Sequence, residues 1–335
     1  MGAMKFSVII ATYNRATELA ETLAALAAAR TASAWEVVVA DNNSSDHTRQ
    51  VVHDAQAQFP VPLQYVFEPR QGKAAALNSG IRQASGEILL FTDDDALVEP
   101  DWLDRSGAAL EETGGAFVGG RVQPRWENTP PSWLSERKTR ISGVIALLDY
   151  GDARRKFGDG IGWPLGVNMA VRAAVFHTHG FWWDNRYDRV GNTLRGQGQR
   201  EWCIRLRSAG LEGYYEPQMV VHHLVPGNRL DKAYFRRWYY WLGVSRAMLY
   251  ANQGLDMESP EDRALDLSNT PHLVGVPRYM FRTASYHLQQ SVLQTVLGNP
   301  ADAFEHELWI CFFAGVLRQR WIDRSSPIDN AAAAV

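Results

Sequence analysis

Residues 87–95 read Glu-Ile-Leu-Leu-Phe-Thr-Asp-Asp-Asp, an apolar run that stops at three carboxylates. The run predicts a buried strand that delivers charge to the edge of a sheet. Asp93 and Asp95 occupy alternate positions, so they project to the same side if strand geometry persists. Carboxylate oxygens are the ligands that Mg²⁺ and Mn²⁺ prefer, and a bound cation could hold a diphosphate. The alternative is a solvated acidic turn, and the surrounding sequence must decide between them.

Polar residues also follow two other apolar runs. Residues 6–11 predict a strand that leads into Thr12-Tyr13-Asn14-Arg15, and residues 35–40 predict a strand that leads into the polar residues 41–46. Predicted helices alternate with these strands, which favours an α/β fold with a mostly parallel sheet. Ligands of such sheets bind beyond the carboxyl ends of the strands. We therefore expect one crevice that collects polar groups from separate parts of the sequence.

Two common phosphate-binding motifs are missing from the sequence. The first predicted strand is followed by Ala-Thr-Tyr-Asn-Arg instead of a Gly-x-Gly-x-x-Gly turn, and no Gly-Lys-Ser/Thr loop occurs. Gln71-Gly72-Lys73 opens a predicted helix, where backbone N–H groups and a cation could meet an anionic ligand. A glycine turn with a solvated lysine is the alternative for this tripeptide.

The composition narrows the class of protein. The chain has 335 residues and a net charge of −3, so it has no overall basic field for nucleic acid, and we expect no nucleic-acid partner. Its two cysteines lie far apart and predict neither a zinc site nor a disulfide framework, which fits a cytoplasmic location. No apolar run approaches the roughly 20 residues of a membrane-spanning helix. Residues 1–3 resemble a cloning remnant, and 329–335 are predicted to be a disordered tail.

Four segments resemble the nucleotide-binding half of the inverting family-2 glycosyltransferases, which have the GT-A fold. They are Ser-Val-Ile-Ile-Ala-Thr-Tyr-Asn-Arg (7–15), Val-Val-Ala-Asp-Asn-Asn-Ser-Ser-Asp (38–46), Gly-Lys-Ala-Ala-Ala-Leu-Asn-Ser-Gly (72–80) and Phe-Thr-Asp-Asp-Asp-Ala-Leu-Val-Glu-Pro-Asp-Trp-Leu (91–103). The resemblance implies that Asp41 binds the base, that Lys73 approaches the ribose or phosphates, and that Asp95 binds the metal. It also implies nucleotide contacts from Thr12, Tyr13, Arg15, Asp93 and Asp94.

Two segments farther along resemble parts of the same family that face the sugars. Gly-Trp-Pro-Leu-Gly-Val-Asn-Met-Ala-Val-Arg (162–172) is similar to a strand whose asparagine, here Asn168, faces the donor sugar. Phe-Trp-Trp-Asp (181–184) is similar to an aromatic-Asp element. Trp182 and Trp183 could stack on a sugar and Asp184 could hydrogen-bond to it, so we expect this element to bind the acceptor.

The expected catalytic base is missing from its usual position. An inverting transfer needs a base for the proton of the acceptor hydroxyl, and the family takes it from an acidic pair at the start of a helix. That pair falls here on Gly198 and Gln199, and neither is a carboxylate. Three explanations stay open: Gln199 is an engineered inactivating replacement of Glu, the chain uses Glu201 as its base, or transfer activity is lost. Glu201 is turned about 200° from position 199 on a helix, and its alternative role is that of an ordinary first-turn acid.

Two adjacent histidines, His222 and His223, end a predicted strand. They resemble the family's histidine that completes the metal site, so the cofactor is predicted to be Mn²⁺ or Mg²⁺ held by Asp95 and one histidine. Alternation along a strand points the two side chains to opposite faces. We prefer His222 for the metal, although the sequence does not determine which one turns inward.

The composition changes after residue 228. Residues 232–251 and 278–321 are predicted helices rich in Arg, Trp, Tyr and Phe. We therefore divide the chain into a GT-A domain at 4–228 (donor half 4–122, acceptor half 123–228) and a helical region at 229–328. The helices could cover the sheet domain, form a homodimer, or bring the protein to the inner face of a membrane as a peripheral protein.

The sequence thus predicts a metal-dependent inverting glycosyltransferase of the hexosyltransferase type. It would move a sugar from a nucleoside-diphosphate sugar, with UDP preferred, to a hydroxyl acceptor such as a glycan or a lipid-linked sugar, as in polysaccharide biosynthesis. The rival is a non-catalytic protein that binds a nucleotide sugar or a glycan on the same fold, because a fold does not establish chemistry.

Overall fold

The structure, a computed structural model, describes residues 4–134, 141, 143–189, 193–259, 262, 264–266 and 269–325. The predicted cloning remnant (1–3) and the predicted tail (329–335) lie outside the described residues. The chain divides into two compact units. The first contains Met1–Thr129, Ile145–Asn192 and Gly198–Gly227, and the second contains Pro130–Val144, Thr193–Gln197 and Asn228–Val335. This division assigns two short segments, 130–144 and 193–197, to the second unit, whereas the sequence division had placed both in the acceptor half.

One mixed sheet forms the centre of the first unit. Its strands run in the order β3-β2-β1-β4-β8-β6-β9-β5, and β7 pairs with β9. The strands are β1 (Phe6–Thr12), β2 (Trp35–Asp41), β3 (Leu63–Phe67), β4 (Ile88–Asp93), β5 (Ala96–Val98), β6 (Phe117–Trp126), β7 (Arg155–Lys156), β8 (Met169–Arg172) and β9 (Gly213–Val225). Strands β1 to β4 pair in parallel, as predicted, while β8 runs antiparallel to both of its neighbours.

Helices cover the sheet and explain why its central strands are apolar along their whole length. Strand β1 is buried at six of its seven positions, which is typical of a strand covered on both faces. Leu19, Leu23 and Leu26 of the first helix are buried at helical spacing. The helices of this unit are α1 (Ala16–Ala27), α2 (Thr48–Gln56), α3 (Lys73–Gln83), α4 (Trp102–Thr113), α5 (Ala174–His177) and α6 (Gly198–Ser208).

The described residues of the second unit form three long helices and a short hairpin. The helices are α7 (Lys232–Gln253), α8 (Arg278–Val296) and α9 (Pro300–Ser325), and the hairpin strands are β10 (His272–Leu273) and β11 (Val276–Pro277). Helices α7 and α9 approach each other at two glycines. A Cβ atom at Gly243 would lie 2.0 Å from the carbonyl oxygen of Phe312, and one at Gly315 would lie 2.0 Å from the carbonyl oxygen of Tyr240. No helix among the described residues has the length and apolar character needed to cross a membrane.

Candidate active site

The carboxyl ends of β1, β2 and β4 lie side by side at one edge of the sheet. In the parallel register Thr12 is opposite Asp41, and Ala11 is opposite Asp93. The polar residues that follow these strands are therefore collected at one place although they come from distant parts of the chain. Ligands of parallel sheets bind at this edge.

Asp93, Asp95 and His223 form a cluster with the chemistry of a metal site. Each offers one ligand atom, and these atoms lie within 4.8 Å of one another. The Nε2 atom of His223 lies 3.2 Å from Oδ1 of Asp95, and both side chains are buried. Two carboxylates and an imidazole suit a divalent cation such as Mn²⁺ or Mg²⁺. The donor set therefore fits a divalent metal, and it includes Asp93, which the family resemblance had assigned to the nucleotide and the alternation of the strand to the metal.

The pairing of β5 with β9 determines which histidine reaches this cluster. His223 is opposite Ala96 and His222 is opposite Leu97, so the two side chains alternate between faces. His222 turns away from Asp95, and its Nε2 lies 2.7 Å from a carboxylate oxygen of Glu99. The preference for His222 is therefore corrected in favour of His223.

Two cations neutralise the acidic triplet. Nζ of Lys73 lies 2.5 Å from Oδ1 of Asp93, and Nη1 of Arg15 lies 2.5 Å from Oδ2 of Asp95 and 3.8 Å from Asp94. Burial works to lower the pKa of Lys73 and of Arg15, but the neighbouring carboxylates outweigh it and raise both pKa values. Burial, reinforced by the charge of Asp95, raises the pKa of Asp94 to about 7. Both cations stay charged and are close enough to contact an anion bound here.

The predicted base-binding residue, Asp41, lies at the end of β2 with its carboxylate buried. The carboxylate accepts hydrogen bonds from the Ser44 backbone N–H at 2.9 Å and from the Tyr65 hydroxyl at 2.6 Å. Burial and the bond to Asp41 raise the pKa of Tyr65, so the phenol stays a donor. Thr12 is buried at the adjacent strand end, whereas the Tyr13 side chain is 49% exposed. Tyr13 is thus the more accessible of these two residues to a ligand.

Contacts between Gly72 and two asparagine side chains fix the start of helix α3 and hence the position of Lys73. The backbone N–H of Gly72 donates to Oδ1 of Asn42 at 2.7 Å. Gly72 has φ of 135°, and a Cβ atom there would lie 2.3 Å from Oδ1 of Asn185. Only glycine fits this backbone conformation and this contact.

Gln199 occupies a position in which an amide is the suitable group. Its Nε2 donates to the backbone oxygen of Pro164 at 2.5 Å and contacts the sulfur of Met169. An ionised glutamate would place a carboxylate oxygen against that carbonyl oxygen and could not donate. The contact therefore suits glutamine and gives no support to the hypothesis of an engineered replacement of Glu.

Glu201 faces the interior of the protein and is 3% exposed. Its Oε1 accepts a hydrogen bond from Nε of Arg205 at 2.8 Å, one helical turn farther along α6. A general base must come within hydrogen-bonding distance of the acceptor proton. A buried carboxylate paired with arginine does not meet that requirement, so the structure does not support Glu201 as the base.

Asp188 is a carboxylate of this region that the sequence analysis missed. It follows the short 3₁₀ turn Asn185–Tyr187 and is half-buried. Burial and the charge of Asp93 raise the pKa of Asp188, whereas the charges of Lys73 and Arg189 lower it. The net effect is a raised pKa, with burial as the largest cause. Asp188 therefore lies within electrostatic reach of the lysine and the aspartate of the strand-end cluster. The sequence indicates Asp188 only weakly, because it lies outside every recognised motif and is distinguished only by the aromatic Tyr187 before it.

Asn168 has a structural contact on each polar atom of its side chain. Its Oδ1 accepts from the indole N–H of Trp102 at 2.8 Å, and its Nδ2 donates to the backbone oxygens of Arg121 and Met219, both at 2.8 Å. The residue is 0% exposed. It joins neighbouring strands, so the expectation that it faces a sugar is corrected: no part of the amide is accessible.

The aromatic-Asp element is also largely committed to packing. Trp183 is 7% exposed and packs against Phe91 and Trp202. Trp182 packs against Phe176, and the guanidinium of Arg82 lies 5.3 Å from the centre of its ring. The predicted sugar-stacking role is therefore corrected for Trp183, which has no open face.

Asp184 is held by its own neighbour. Its carboxylate accepts from the backbone N–H of Arg186 at 2.9 Å and forms an ion pair with the same residue at 2.6 Å. Burial works to raise the pKa of Asp184, but these bonds outweigh it and hold the pKa below the usual range. The carboxylate caps the 3₁₀ turn that leads to Asp188, and its predicted contact with an acceptor stays a prediction.

Comparison with known proteins identifies the family. The sequence profile described as Glycosyl transferase family 2 matches residues 7–180, which is more than half of the chain. The chain belongs to glycosyl transferase family 2. The family-2 match begins at β1 and includes the strand ends and the acidic triplet, so the resemblance seen in the sequence is confirmed and the chain is a glycosyltransferase.

Two named proteins are similar to this chain over most of its length. The succinoglycan biosynthesis protein ExoM of Rhizobium meliloti is 27% identical over 246 residues, which is 73% of this chain and 74% of that protein. A glucosyl-dolichyl phosphate glucuronosyltransferase of Haloferax volcanii is 25% identical over 252 residues, which is 73% of this chain and 77% of that protein.

One solved structure matches nearly the whole chain. It is the mannosyltransferase PcManGT from Pyrobaculum calidifontis in complex with GDP-Man and Mn²⁺. The TM-score is 0.62 at 20% identity, and the match covers 96% of this chain and 88% of that one. This likeness shows the fold, and it confirms the predicted α/β GT-A class with additional C-terminal helices.

Proposed function

We propose that this family-2 glycosyltransferase moves a sugar, with inversion, from a nucleoside-diphosphate sugar to a hydroxyl group of a glycan or a lipid-linked acceptor. The observation that carries the proposal is the cluster of Asp93, Asp95 and His223 at the end of β4, with Lys73 and Arg15 beside it. The carboxylates suit a divalent cation, and the two cationic side chains suit the oxygens of a diphosphate. A ligand without charge would not need these groups.

A divalent metal, Mn²⁺ or Mg²⁺, fits the three-residue cluster. When bound, it would neutralise negative charge that develops on the leaving nucleoside diphosphate. Lys73 and Arg15 already form ion pairs with Asp93 and Asp95, so they are positioned to exchange a carboxylate partner for a phosphate oxygen. From the family resemblance we propose that Asp41 contacts the nucleotide base at the end of β2, and its buried carboxylate would exchange a hydrogen bond to Ser44 or Tyr65 for that contact.

UDP is the nucleotide that we propose from the sequence, and the choice of nucleotide has to be tested directly. PcManGT, a structural neighbour, is described with GDP-Man. Calorimetric titrations of UDP and GDP should therefore be compared with and without Mn²⁺, followed by assays of nucleotide release from UDP- and GDP-sugars. We expect Mn²⁺-dependent binding that EDTA removes. Absence of nucleotide binding under all of these conditions would contradict the proposed function.

The adjacent histidines provide a matched control for the metal site. We expect His223→Ala to weaken Mn²⁺-dependent nucleotide binding by about 10-fold or more, because it removes a buried metal ligand and loss of a residue that only supports a ligand already costs about that much. His222→Ala, one residue away on the opposite face, should leave the affinity within about twofold of wild type. Thermal unfolding of both variants checks that the fold is intact. Equal affinities for the two variants, or a larger loss for His222→Ala, would refute the assignment of His223.

The lipid-linked class of acceptor is proposed because one relative is named a glucosyl-dolichyl phosphate glucuronosyltransferase. A polysaccharide acceptor is proposed because ExoM is named a succinoglycan biosynthesis protein. Transfer of a labelled sugar to lipid extracts and to soluble oligosaccharides would discriminate between the two classes. A homodimer or a peripheral membrane contact through α7, α8 and α9 is also a proposal, and sedimentation and liposome flotation would test it.

A further inference from the structure

We propose that Asp188 is the catalytic base of this enzyme, the carboxylate that takes the proton of the acceptor hydroxyl. The inference rests on the proposed transfer function. It addresses the half of the reaction for which the family's acidic pair is missing, because positions 198 and 199 hold glycine and glutamine.

The first observation is the position of the Asp188 carboxylate at the start of α6. A Cβ atom built on Gly198 would lie 3.1 Å from Cγ of Asp188 and 3.2 and 3.3 Å from its two oxygens. The carboxylate therefore occupies the space beside the first residue of the helix. An acidic side chain at position 198 would need the space that the Asp188 carboxylate fills. Asp188 therefore places a carboxylate, from another segment, at the helix start where position 198 has no side chain.

The second observation is the path of the segment that carries Asp188. Its 3₁₀ turn packs against the start of α3, because Oδ1 of Asn185 fills the space above Gly72. Tyr187, which is 1% exposed, anchors the turn in the core. Asp188 is thereby brought into the electrostatic neighbourhood of Lys73, whose Nζ binds Asp93 in the cluster at the end of β4. A base for the acceptor has to lie near the bound donor, and this segment supplies a carboxylate there.

The third observation is that the neighbouring candidates are committed elsewhere. Gln199 is an amide that donates to Pro164, and the buried Glu201 is paired with Arg205. Asp184 is paired with Arg186. Asp188 is half-buried, and the charges of Lys73, Arg189 and Asp93 act on it. It is the carboxylate of this group that an acceptor hydroxyl could reach.

The proposed step balances as follows. The acceptor oxygen forms a bond to the anomeric carbon of the donor sugar, and its proton passes to a carboxylate oxygen of Asp188. The bond from the anomeric carbon to the diphosphate oxygen breaks, and its electron pair leaves with the nucleoside diphosphate. Asp188 then returns the proton to solvent. No oxidant, reductant or further reactant is required.

Asp188→Asn separates a catalytic role from a structural one. Asparagine has the same shape and stabilises a helix N-terminus about as well as aspartate, but it cannot accept the proton. We expect kcat to fall by about 10²- to 10⁴-fold, whereas the affinity for UDP or GDP with Mn²⁺ and the thermal midpoint stay close to wild type. The acidic limb of the pH profile of kcat should disappear in the same variant. Asp54→Asn, which makes the same chemical change at an exposed position of α2 outside the site, is the control and should retain the wild-type kcat.

Asp188→Glu supplies the second readout. A base role predicts more activity for the glutamate variant than for the asparagine variant, because glutamate keeps a carboxylate. A purely structural role predicts the reverse, because asparagine keeps the shape. Transfer by Asp188→Asn within about threefold of wild type, or a higher rate for Asp188→Asn than for Asp188→Glu, would overturn the inference. Nucleotide binding by the wild-type enzyme tests the proposed function itself, so the two failures are distinguishable.

Discussion

The proposed donor side and the proposed acceptor side of this site obtain their charged residues in different ways. On the donor side, Asp93 and Asp95 follow directly from a buried strand, and each is paired with a cation at 2.5 Å. On the acceptor side, the first two residues of α6, Gly198 and Gln199, carry no carboxylate, and the carboxylate of Asp188 lies beside Gly198 from a separate segment. The difference shows that a sheet edge can retain a local acidic motif while the neighbouring helix takes its acid from elsewhere. Substitutions on the two sides should therefore affect different steps of the reaction.

The largest effect is expected from Asp95→Asn on the donor side. The substitution removes a buried ligand of the three-residue cluster and the partner of Arg15. We expect transfer to fall by about 10³-fold or more and Mn²⁺-dependent nucleotide binding to be lost. Initial rates and calorimetry measure both quantities. Glu99→Gln is the control, because Glu99 contacts His222 outside the cluster, and a similar loss in that variant would undermine the assignment.

A smaller donor-side effect is expected from Lys73→Met. The variant keeps the length of the side chain but removes the cation beside Asp93, so a bound diphosphate loses one charge-assisted contact. We expect the dissociation constant of the nucleotide to rise by about 10²-fold. Lys73→Arg keeps the charge and should lose less affinity. Equal affinities for wild type and Lys73→Met would mean that Lys73 serves only to neutralise Asp93.

Gly198→Ala tests the acceptor side without changing any charge. The added methyl group would lie 3.1 Å from Cγ of Asp188, so the carboxylate must move by a few tenths of an ångström. We expect kcat to fall by about tenfold while the nucleotide affinity stays unchanged, because only the position of the base changes. Gly196→Ala is the matched control, since a Cβ atom there would have only an ordinary contact, 3.9 Å from the backbone oxygen of Leu194. A change in nucleotide affinity with an unchanged kcat would contradict the division into two sides.

The smallest effect on transfer is expected from Gln199→Glu. The glutamate would lose the hydrogen bond to Pro164 and place charge against a carbonyl oxygen. We expect the free energy of unfolding to fall by about 1–2 kcal/mol, measured by urea denaturation, with no gain in activity. A tenfold or greater increase in transfer would show that position 199 holds the base after all, and it would argue against Asp188.

The donor side was largely predictable because its information is local. In a parallel sheet, residues after β1, β2 and β4 meet at one edge, so the neighbourhood of Thr12, Asp41 and Asp93 follows from the order of strands and helices. The choice between His222 and His223 was not predictable, because the alternation of β9 is known only once its pairing with β5 is known. Asn168 was assigned to the donor sugar from the family resemblance and Trp183 to a sugar because of its residue type, but in the fold the amide and the indole ring are used by the core.

Asp188 was missed for a different physical reason. Its importance depends on three segments that are distant in sequence: the glycine at position 72, the 3₁₀ turn, and the glycine at position 198. No periodicity or spacing within any one of these segments indicates a carboxylate beside a helix start. A glycine leaves space for a neighbouring side chain, but the sequence does not show which neighbour fills that space.

Two glycines of the second unit also leave space that a neighbouring segment fills, and here the two glycines lie on two helices that contact each other. At Gly243 and at Gly315, each helix presents a backbone carbonyl to the space that the other helix leaves open. A side chain at either position would push the same two backbones apart. In a scan of all single substitutions, these two positions should therefore give nearly the same profile of intolerance, and a second substitution at the partner should add little to the damage of the first.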